Sequence, residues 1–364
     1  MLFRSWRDSV FGNLCSLPVT LVLLFTADVV PFPPHFALFC RTSKLTYLAW
    51  VAIEGSFCLG AIFRHRSTES GGSVQYESYP ALFRSADDAS NKKQKIYLRL
   101  IGAEYAVLLL ASVLSDSAFK GATFYLLYAF VFVLAVVLLL TRNLWKLQQD
   151  WYRCRALAES VKTLTWRYIM RAAPFADGLP LQNARVEFRN QLYRTFDANR
   201  AAADKIDPNW SADDQITAEM DRTRASSLDE RKKYYAAHRL NDQRTWYMHK
   251  AGENNRSARN WVIAAVVAYV LAFALVLARI KFPGWEYFWG IGPIIVFASS
   301  VIGWMQVKKF NELAAAYTVT AHEIGLIKPR LDAVGTESDF SDFINDAELA
   351  FSREHTLWIA RQSK

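Results

Sequence analysis

The residue types that could perform catalysis occur in this sequence without any recognised catalytic spacing. The chain has neither of the glycine-rich phosphate-binding patterns, GxGxxG and GxxxxGK(S/T), nor the nucleophile pattern GxSxG. His322 and Glu323 begin like the zinc motif HExxH, but Leu326 stands where the second histidine belongs. Arg353-Glu354-His355 could form an acid–base or metal site, or hydrogen bonds between helices. Because the four cysteines also lack disulfide or zinc-site spacing, the sequence favours a protein that is not an enzyme and has no cofactor.

The more informative polar residues lie inside long apolar stretches. Glu104 interrupts one such stretch, and Ser112 follows it by two helical turns on the same face, whereas Ser299 and Ser300 lie in another stretch. Ionisable groups at membrane depth are costly, so they usually face water or the interior of a helix bundle. All four are therefore candidate pore-lining or polar intramembrane residues, although the serines also suit close helix packing. Glu104 could instead pair with Arg99, but five residues place those side chains roughly 140° apart on a helix.

Four apolar stretches approach the roughly 20 residues that are needed to cross about 30 Å of hydrocarbon. They occur as two closely spaced pairs, residues 96–114 with 122–140 and residues 261–278 with 287–305. The short connection within each pair predicts a tight transmembrane helical hairpin. Residues 1–72 form a further apolar region that adds zero, one or two spans, and we favour at least one. A secretory signal is the other interpretation of that region.

Basic residues are distributed unequally about these four stretches. Thirteen flank the ends that face the long polar regions, whereas only Lys120, Arg279 and Lys281 lie at the hairpin tips. The positive-inside rule then places the tips outside and the long polar regions in the cytoplasm, at a bacterial inner membrane. This topology and attraction to the anionic lipid bilayer also account for the net charge of +9, so no nucleic-acid partner is needed.

Each hairpin is followed by apolar residues at three- and four-residue steps, a pattern typical of a coiled-coil seam. We expect the seams to form contacts between subunits of a homo-oligomer, with some contacts inside one chain. The candidate seam residues are Trp151, Ala158, Val161, Tyr317, Ala321 and Ile324. No glycine or proline occurs from residue 122 to residue 173, which predicts one continuous helix of about 50 residues and roughly 75 Å.

The two halves of the chain repeat one order of elements: a helix, a transmembrane hairpin and a long returning helix. No strand pattern competes with this interpretation. The predicted fold is an all-α integral membrane protein with a first two-span unit at residues 79–200, a linker at 201–227 and a second unit at 228–364.

Several ordered motifs carry a resemblance to a known family. The second half contains RLNDQRTWYMHKA at residues 239–251, AYTVTAHE at 316–323 and AELAFSREH at 347–355. The first half contains RALAESVKTLTWRY at 155–168 and RAAPF at 171–175. These motifs resemble two branches of the SLATT family, which are bacterial two-span domains associated with nucleotide-sensing conflict systems. The resemblance covers roughly residues 79–361.

The resemblance implies a membrane effector, and together with the helical seams it favours a homo-oligomer that forms or gates a pore. It would disturb the host membrane when a nucleotide-linked sensor protein fires, as in antiphage defence. The family supplies no catalytic residues to compare. The alternative is a non-conducting membrane scaffold or adaptor that recruits a cytoplasmic partner enzyme, and membrane depolarisation distinguishes the two.

Overall fold

The computed structural model describes residues 76–115, 121–176, 178–209, 215–282 and 290–362, with side chains as far as Phe351. The chain is helical through most of these ranges, which contain no β-strand. Within these ranges, four helical stretches are long and apolar enough to cross a membrane. The predicted all-α membrane fold is therefore confirmed. The apolar region expected at residues 1–72 lies outside the described residues.

The helices follow one another in the predicted order in both halves. Those of the first half are α1 (Ala81–Ser115), α2 (Ala122–Leu144), α3 (Leu147–Ile169), α4 (Leu181–Ala198) and α5 (Ala218–Ala225). Those of the second half are α6 (Leu228–Tyr235), α7 (Asp242–Lys281), α8 (Ile291–Lys308), α9 (Phe310–Ile327) and α10 (Glu337–Gln362). A π-helical segment, Ala236–Asn241, joins α6 to α7 without a break, and a 3-10 helix, Arg200–Lys205, follows α4.

Each membrane hairpin is held together by small or branched apolar side chains. In the first, Val131 of α2 packs with Val107 and Ala111 of α1. In the second, α7 runs along both α8 and α9. Four buried alanines recur every seven residues along α7, at Ala251, Ala258, Ala265 and Ala272. A seven-residue period keeps these alanines on one face, and their small size lets helix backbones approach closely.

The returning helices are interrupted, which corrects the prediction of one continuous helix from residue 122 to residue 173. Lys146 adopts the left-handed conformation, with φ of 46°, between α2 and α3. Lys309 does the same, with φ of 49°, between α8 and α9. The residues that follow, Leu147 and Phe310, are both buried. No glycine or proline at either position signals the break in the sequence. Lysine seldom adopts this conformation, and packing of the next helix stabilises it here.

The polar helices of both halves share one apolar core. It contains Trp166 and Tyr168 of α3 together with Tyr235 of α6 and Phe340 and Phe343 of α10. The stretch expected to be a linker, residues 201–227, also contributes to this core. Its 3-10 helix and α5 bury Ala202 and Met220, and Ile216 is buried between them in the chain. That stretch is therefore part of the packed structure within the described residues.

The interruption at Lys146 can be tested with two substitutions that remove the same charge. In the left-handed region an alanine is disfavoured by about 1–2 kcal/mol, whereas glycine adopts it freely. Lys146→Gly should therefore melt a few degrees above Lys146→Ala in thermal unfolding of the detergent-solubilised chain. In a continuous helix the order reverses, because glycine is about 1 kcal/mol less favourable than alanine there. The same pair at Lys309 provides an independent repeat of the measurement.

Candidate functional site

The acidic group predicted inside the first hairpin has a partner on the adjacent helix. Glu104 of α1 forms a salt bridge with Arg142 of α2, with 3.0 Å between Oε1 and Nε. The Glu104 side chain is 13% exposed and that of Arg142 is 31% exposed. Arg142 follows the uncharged run of α2 by two residues, so the pair lies at the polar end of the hairpin and not at its centre. The alternative partner, Arg99, is exposed.

The three candidate serines lie in different surroundings. Ser112 is half-buried on α1, two turns from Glu104. Ser300 is half-buried on α8 and its hydroxyl donates a hydrogen bond of 2.8 Å to the carbonyl of Val296, one turn earlier. Ser299 is exposed on the outer surface of α8. A hydroxyl bonded within its own helix needs no further partner in lipid, whereas Ser299 is available to lipid, water or another subunit.

The two hairpins meet through a close contact at their polar ends. Ile101 of α1 and Trp304 of α8 belong to one buried cluster, and Tyr105 packs against it. The ring of Tyr105 lies so close to Gly303 that a β-carbon at that position would collide with the phenol oxygen. Gly303 therefore allows close approach of α1 and α8, as expected for a small residue in a membrane span.

The seam residues are used mainly inside one chain. Ala158, Val161, Ala321 and Ile324 are buried in the core that both halves share. Trp151 and Tyr317 are partly exposed, but each contacts an aromatic ring on the first helix of its own hairpin. Ring centroids are 6.4 Å apart for Tyr97 and Trp151, and 5.6 Å apart for Tyr247 and Tyr317. Within one chain, the hairpins' own first helices and α10 cover these four positions. This agrees with the expected contacts inside one chain, and the contacts between subunits stay a prediction.

A buried ion pair lies at the centre of the shared core. Arg239, in the π-helical segment, donates hydrogen bonds of 2.8 and 2.6 Å to the two carboxylate oxygens of Glu348 on α10. The side chains are 2% and 0% exposed, respectively. Tyr235 donates a further hydrogen bond of 2.9 Å to Glu348. Burial alone would lower the pKa of Arg239, but the charge and hydrogen bonds of Glu348 raise it overall, so the guanidinium stays charged.

The same arginine reaches the first half of the chain. Its guanidinium lies 5.8 Å from the ring centre of Trp166 on α3 and 4.7 Å from that of Phe351. The indole of Trp166 donates a hydrogen bond of 3.1 Å to the hydroxyl of Tyr79. Burial raises the pKa of the Tyr79 hydroxyl above its ordinary value, so the phenol stays protonated even in alkaline solution. The Arg239–Glu348 pair, with its contact to Trp166, thus joins α3, the π-helical segment and α10.

Sequence reasoning missed both members of this pair, although a signal was present. Glu348 lies three residues before Phe351 and four after Ile344, which places it inside the buried stripe of α10. An acidic residue in such a stripe requires a buried partner. The histidine motif has no comparable support: His322 and Glu323 are exposed, and the described residues contain no group of His, Cys, Asp and Glu able to hold a metal. The side chains of residues 353–355 lie outside those described.

The described structure is that of a multi-pass helical membrane protein in which two hairpins continue into polar helices that share one apolar core. Two family models match along the chain: SMODS and SLOG-associating 2TM effector domain 3 at residues 80–232, and SMODS and SLOG-associating 2TM effector domain 1 at residues 235–358. The chain belongs to the SLATT family, with two of its domains in tandem. No curated protein and no solved structure matches it. SLATT domains are membrane effector modules of conflict systems and not known enzyme families.

The importance of the buried pair can be tested by removing one partner and then both. Arg239→Met leaves the Glu348 carboxylate buried without its cation and should cost about 3–5 kcal/mol of stability. Arg239→Met combined with Glu348→Leu should be milder than the single change, because no buried charge is left uncompensated. Thermal unfolding in detergent measures the order of the melting temperatures.

The matched control is the surface pair between Arg222 and Glu219, whose atoms are 2.6 Å apart. Arg222→Ala should cost less than about 1 kcal/mol, since exposed pairs contribute little. Equal losses for Arg239→Met and Arg222→Ala would show that the buried pair does not support the core.

Proposed function

We propose that this protein is a homo-oligomeric effector that forms or gates a pore in the bacterial inner membrane and acts in antiphage defence. The observation that supports this most is the Glu104–Arg142 pair at the polar end of an otherwise apolar hairpin. Glu104 lies within the apolar stretch of α1, and ionisable residues within a membrane span usually face a partner or water and mark ion pathways.

The first hairpin offers a surface through which subunits could assemble. Val131 is the one buried residue of α2, and the helix carries exposed aromatic and aliphatic side chains along its length. Lipid covers such a surface in a monomer. In the proposed oligomer, α2 or the exposed Ser299 face of α8 contacts a neighbouring subunit. The candidate pore-lining groups are the four polar residues Glu104, Ser112, Ser299 and Ser300.

The ion pair suggests how such a pore is controlled. While Arg142 is bound, it neutralises the carboxylate of Glu104. Separation of the two would present one carboxylate per subunit, and a ring of acidic groups favours cations. A nucleotide-linked sensor protein that binds the polar helices could cause this separation, because both hairpins continue into one shared core. In the proposed orientation, the polar helices lie in the cytoplasm and the hairpin tips lie outside.

The orientation can be tested by cysteine labelling. In a chain without native cysteines, Ser117→Cys and Gly284→Cys should react with a membrane-impermeant reagent added to intact cells, because the basic residues place both tips outside. Gly178→Cys, Ser226→Cys and Lys364→Cys should react only after the cells are opened. Labelling of Ser226→Cys in intact cells would contradict the orientation.

Pore formation can be tested by following membrane potential during expression in a bacterium together with the neighbouring genes. The wild-type chain should depolarise the membrane. Glu104→Gln should reduce depolarisation or cation preference, whereas Arg142→Gln should increase it because the carboxylate is released. The double variant should behave like Glu104→Gln if the carboxylate lines the ion path. Arg99→Gln, which removes an exposed charge of the same helix region, is the matched control and should behave as wild type.

A purely structural pair gives a different pattern of results. Both single variants then lower the melting temperature and the activity together, and the double variant recovers them. Absence of depolarisation in every chain, with the neighbouring genes present, would favour the alternative function. In that case the protein is a non-conducting scaffold or adaptor that recruits a cytoplasmic enzyme through its polar helices.

A further inference from the structure

We propose that a cleft at the junction of α2 and α3 binds the phosphate headgroup of an anionic phospholipid. The cleft has a volume of about 490 Å³. Its walls come from three places: the end of α2, the first two turns of α3 and the 3-10 helix Arg200–Lys205. The inference rests on insertion of the hairpin in a membrane and does not depend on pore formation.

The position of the cleft corresponds to the headgroup layer. The uncharged run of α2 ends at Leu140, and Leu144 lies about 6 Å further along the helix. The headgroup region of a bilayer extends roughly 5–7 Å beyond the hydrocarbon on each side. Leu144 and Trp145 line the cleft and are 70% and 62% exposed, respectively. An exposed tryptophan at this depth is typical of a side chain that lies among lipid headgroups.

The charge of the cleft is complementary to phosphate. Asp150 is nearly buried at its base and has three cations within 4.0 Å, which are Lys93, Arg153 and Lys205. Lys146 and Arg200 add two further basic side chains to the walls. Against these five cations stand the carboxylates of Asp150, Asp204 and Asp197, the last of which contacts Arg200. The cluster therefore keeps an excess of positive charge beside the membrane, where each such residue strengthens binding to anionic lipid.

The left-handed break at Lys146 contributes to the site. It separates α2 from α3, so the basic side chains of α3 and the apolar surface of α2 border one cleft. A phospholipid could then place its phosphate among the cations and its acyl chains along the exposed face of α2. A helix continuing through residue 146 would lack this opening.

The second half of the chain shows that the break alone does not make such a site. Lys309 is also left-handed, but Leu313 and Ala316 occupy the positions that correspond to Asp150 and Arg153. The adjacent Lys308 lies 5.9 Å from the ring centres of both Trp304 and Phe310. Among the described residues, the basic cleft therefore lies in the first half. In the second half, Lys308 packs on aromatic rings instead.

The test is native mass spectrometry of the delipidated full-length chain titrated with phosphatidylglycerol or phosphatidylcholine. The wild-type chain should prefer phosphatidylglycerol. The triple variant Arg153→Ala, Arg200→Ala and Lys205→Ala should lose about fivefold in affinity for each cation removed, and up to about a hundredfold in total. Asp204→Asn, which removes an exposed carboxylate beside Lys205, should bind about fivefold more tightly.

The control is a second triple variant with the same change in net charge: Arg222→Ala, Lys233→Ala and Arg330→Ala. None of these three residues lines the cleft. Arg222 lies on α5, which packs near the far end of α3, about 25 Å along that helix from the cleft. This variant should bind phosphatidylglycerol as the wild type does. Equal loss in both triple variants, no preference over phosphatidylcholine, or an unchanged affinity of Asp204→Asn would overturn the proposal. Displacement of the lipid by an equal concentration of inorganic phosphate would show a site for free phosphate and would also overturn it.

Discussion

The charged groups of Arg239 and Glu348 can be buried only together, and the helical core is arranged to meet that requirement. An isolated charge in this core would be strongly unfavourable, so both carboxylate oxygens accept hydrogen bonds from the guanidinium and Tyr235 adds a third. The ring of Trp166 brings the first half of the chain to the same arginine. One polar contact therefore fixes the relative positions of elements that are far apart in sequence.

This arrangement connects the core to the membrane without a flexible joint. The π-helical segment that carries Arg239 continues directly into α7, whose buried alanines follow one face from the polar region into the span. An extra residue in a helical turn is often found at functional sites, because it changes the direction of the side chains that follow. A displacement of α10 would act on Arg239 and so on the start of the membrane helix, which is the mechanical link that the proposed effector requires.

The two halves repeat the same elements but use equivalent positions differently. Lys146 and Lys309 share the left-handed conformation, and the buried positions after them match, with Leu147 and Phe310 beginning each returning helix. The first break opens a basic cleft beside exposed Trp145. The second is closed by Lys308 packing on aromatic rings. The two halves therefore share an order of helices but differ in the side chains at these equivalent positions.

Sequence periodicity determined the helical class, the two membrane hairpins and the apolar faces of the returning helices. These follow from local rules, since apolar runs of this length suit a bilayer and seam spacing suits a helix. The same rules indicated that Glu104 is costly at its position in an apolar stretch. Its partner lies on another helix, and the relative position of α1 and α2 along their axes decides that the partner is Arg142.

Only the tertiary structure decided where helices break, what covers each seam and which buried charges pair. The left-handed lysines are stabilised by packing of the helices that follow, and no local residue type signals them. Seam residues such as Val161 and Ile324 could equally have faced another subunit until α10 and the first helix of each hairpin covered them. Glu348 could be placed on a buried face from sequence, but contact with Arg239 depends on the folded path of the whole second half.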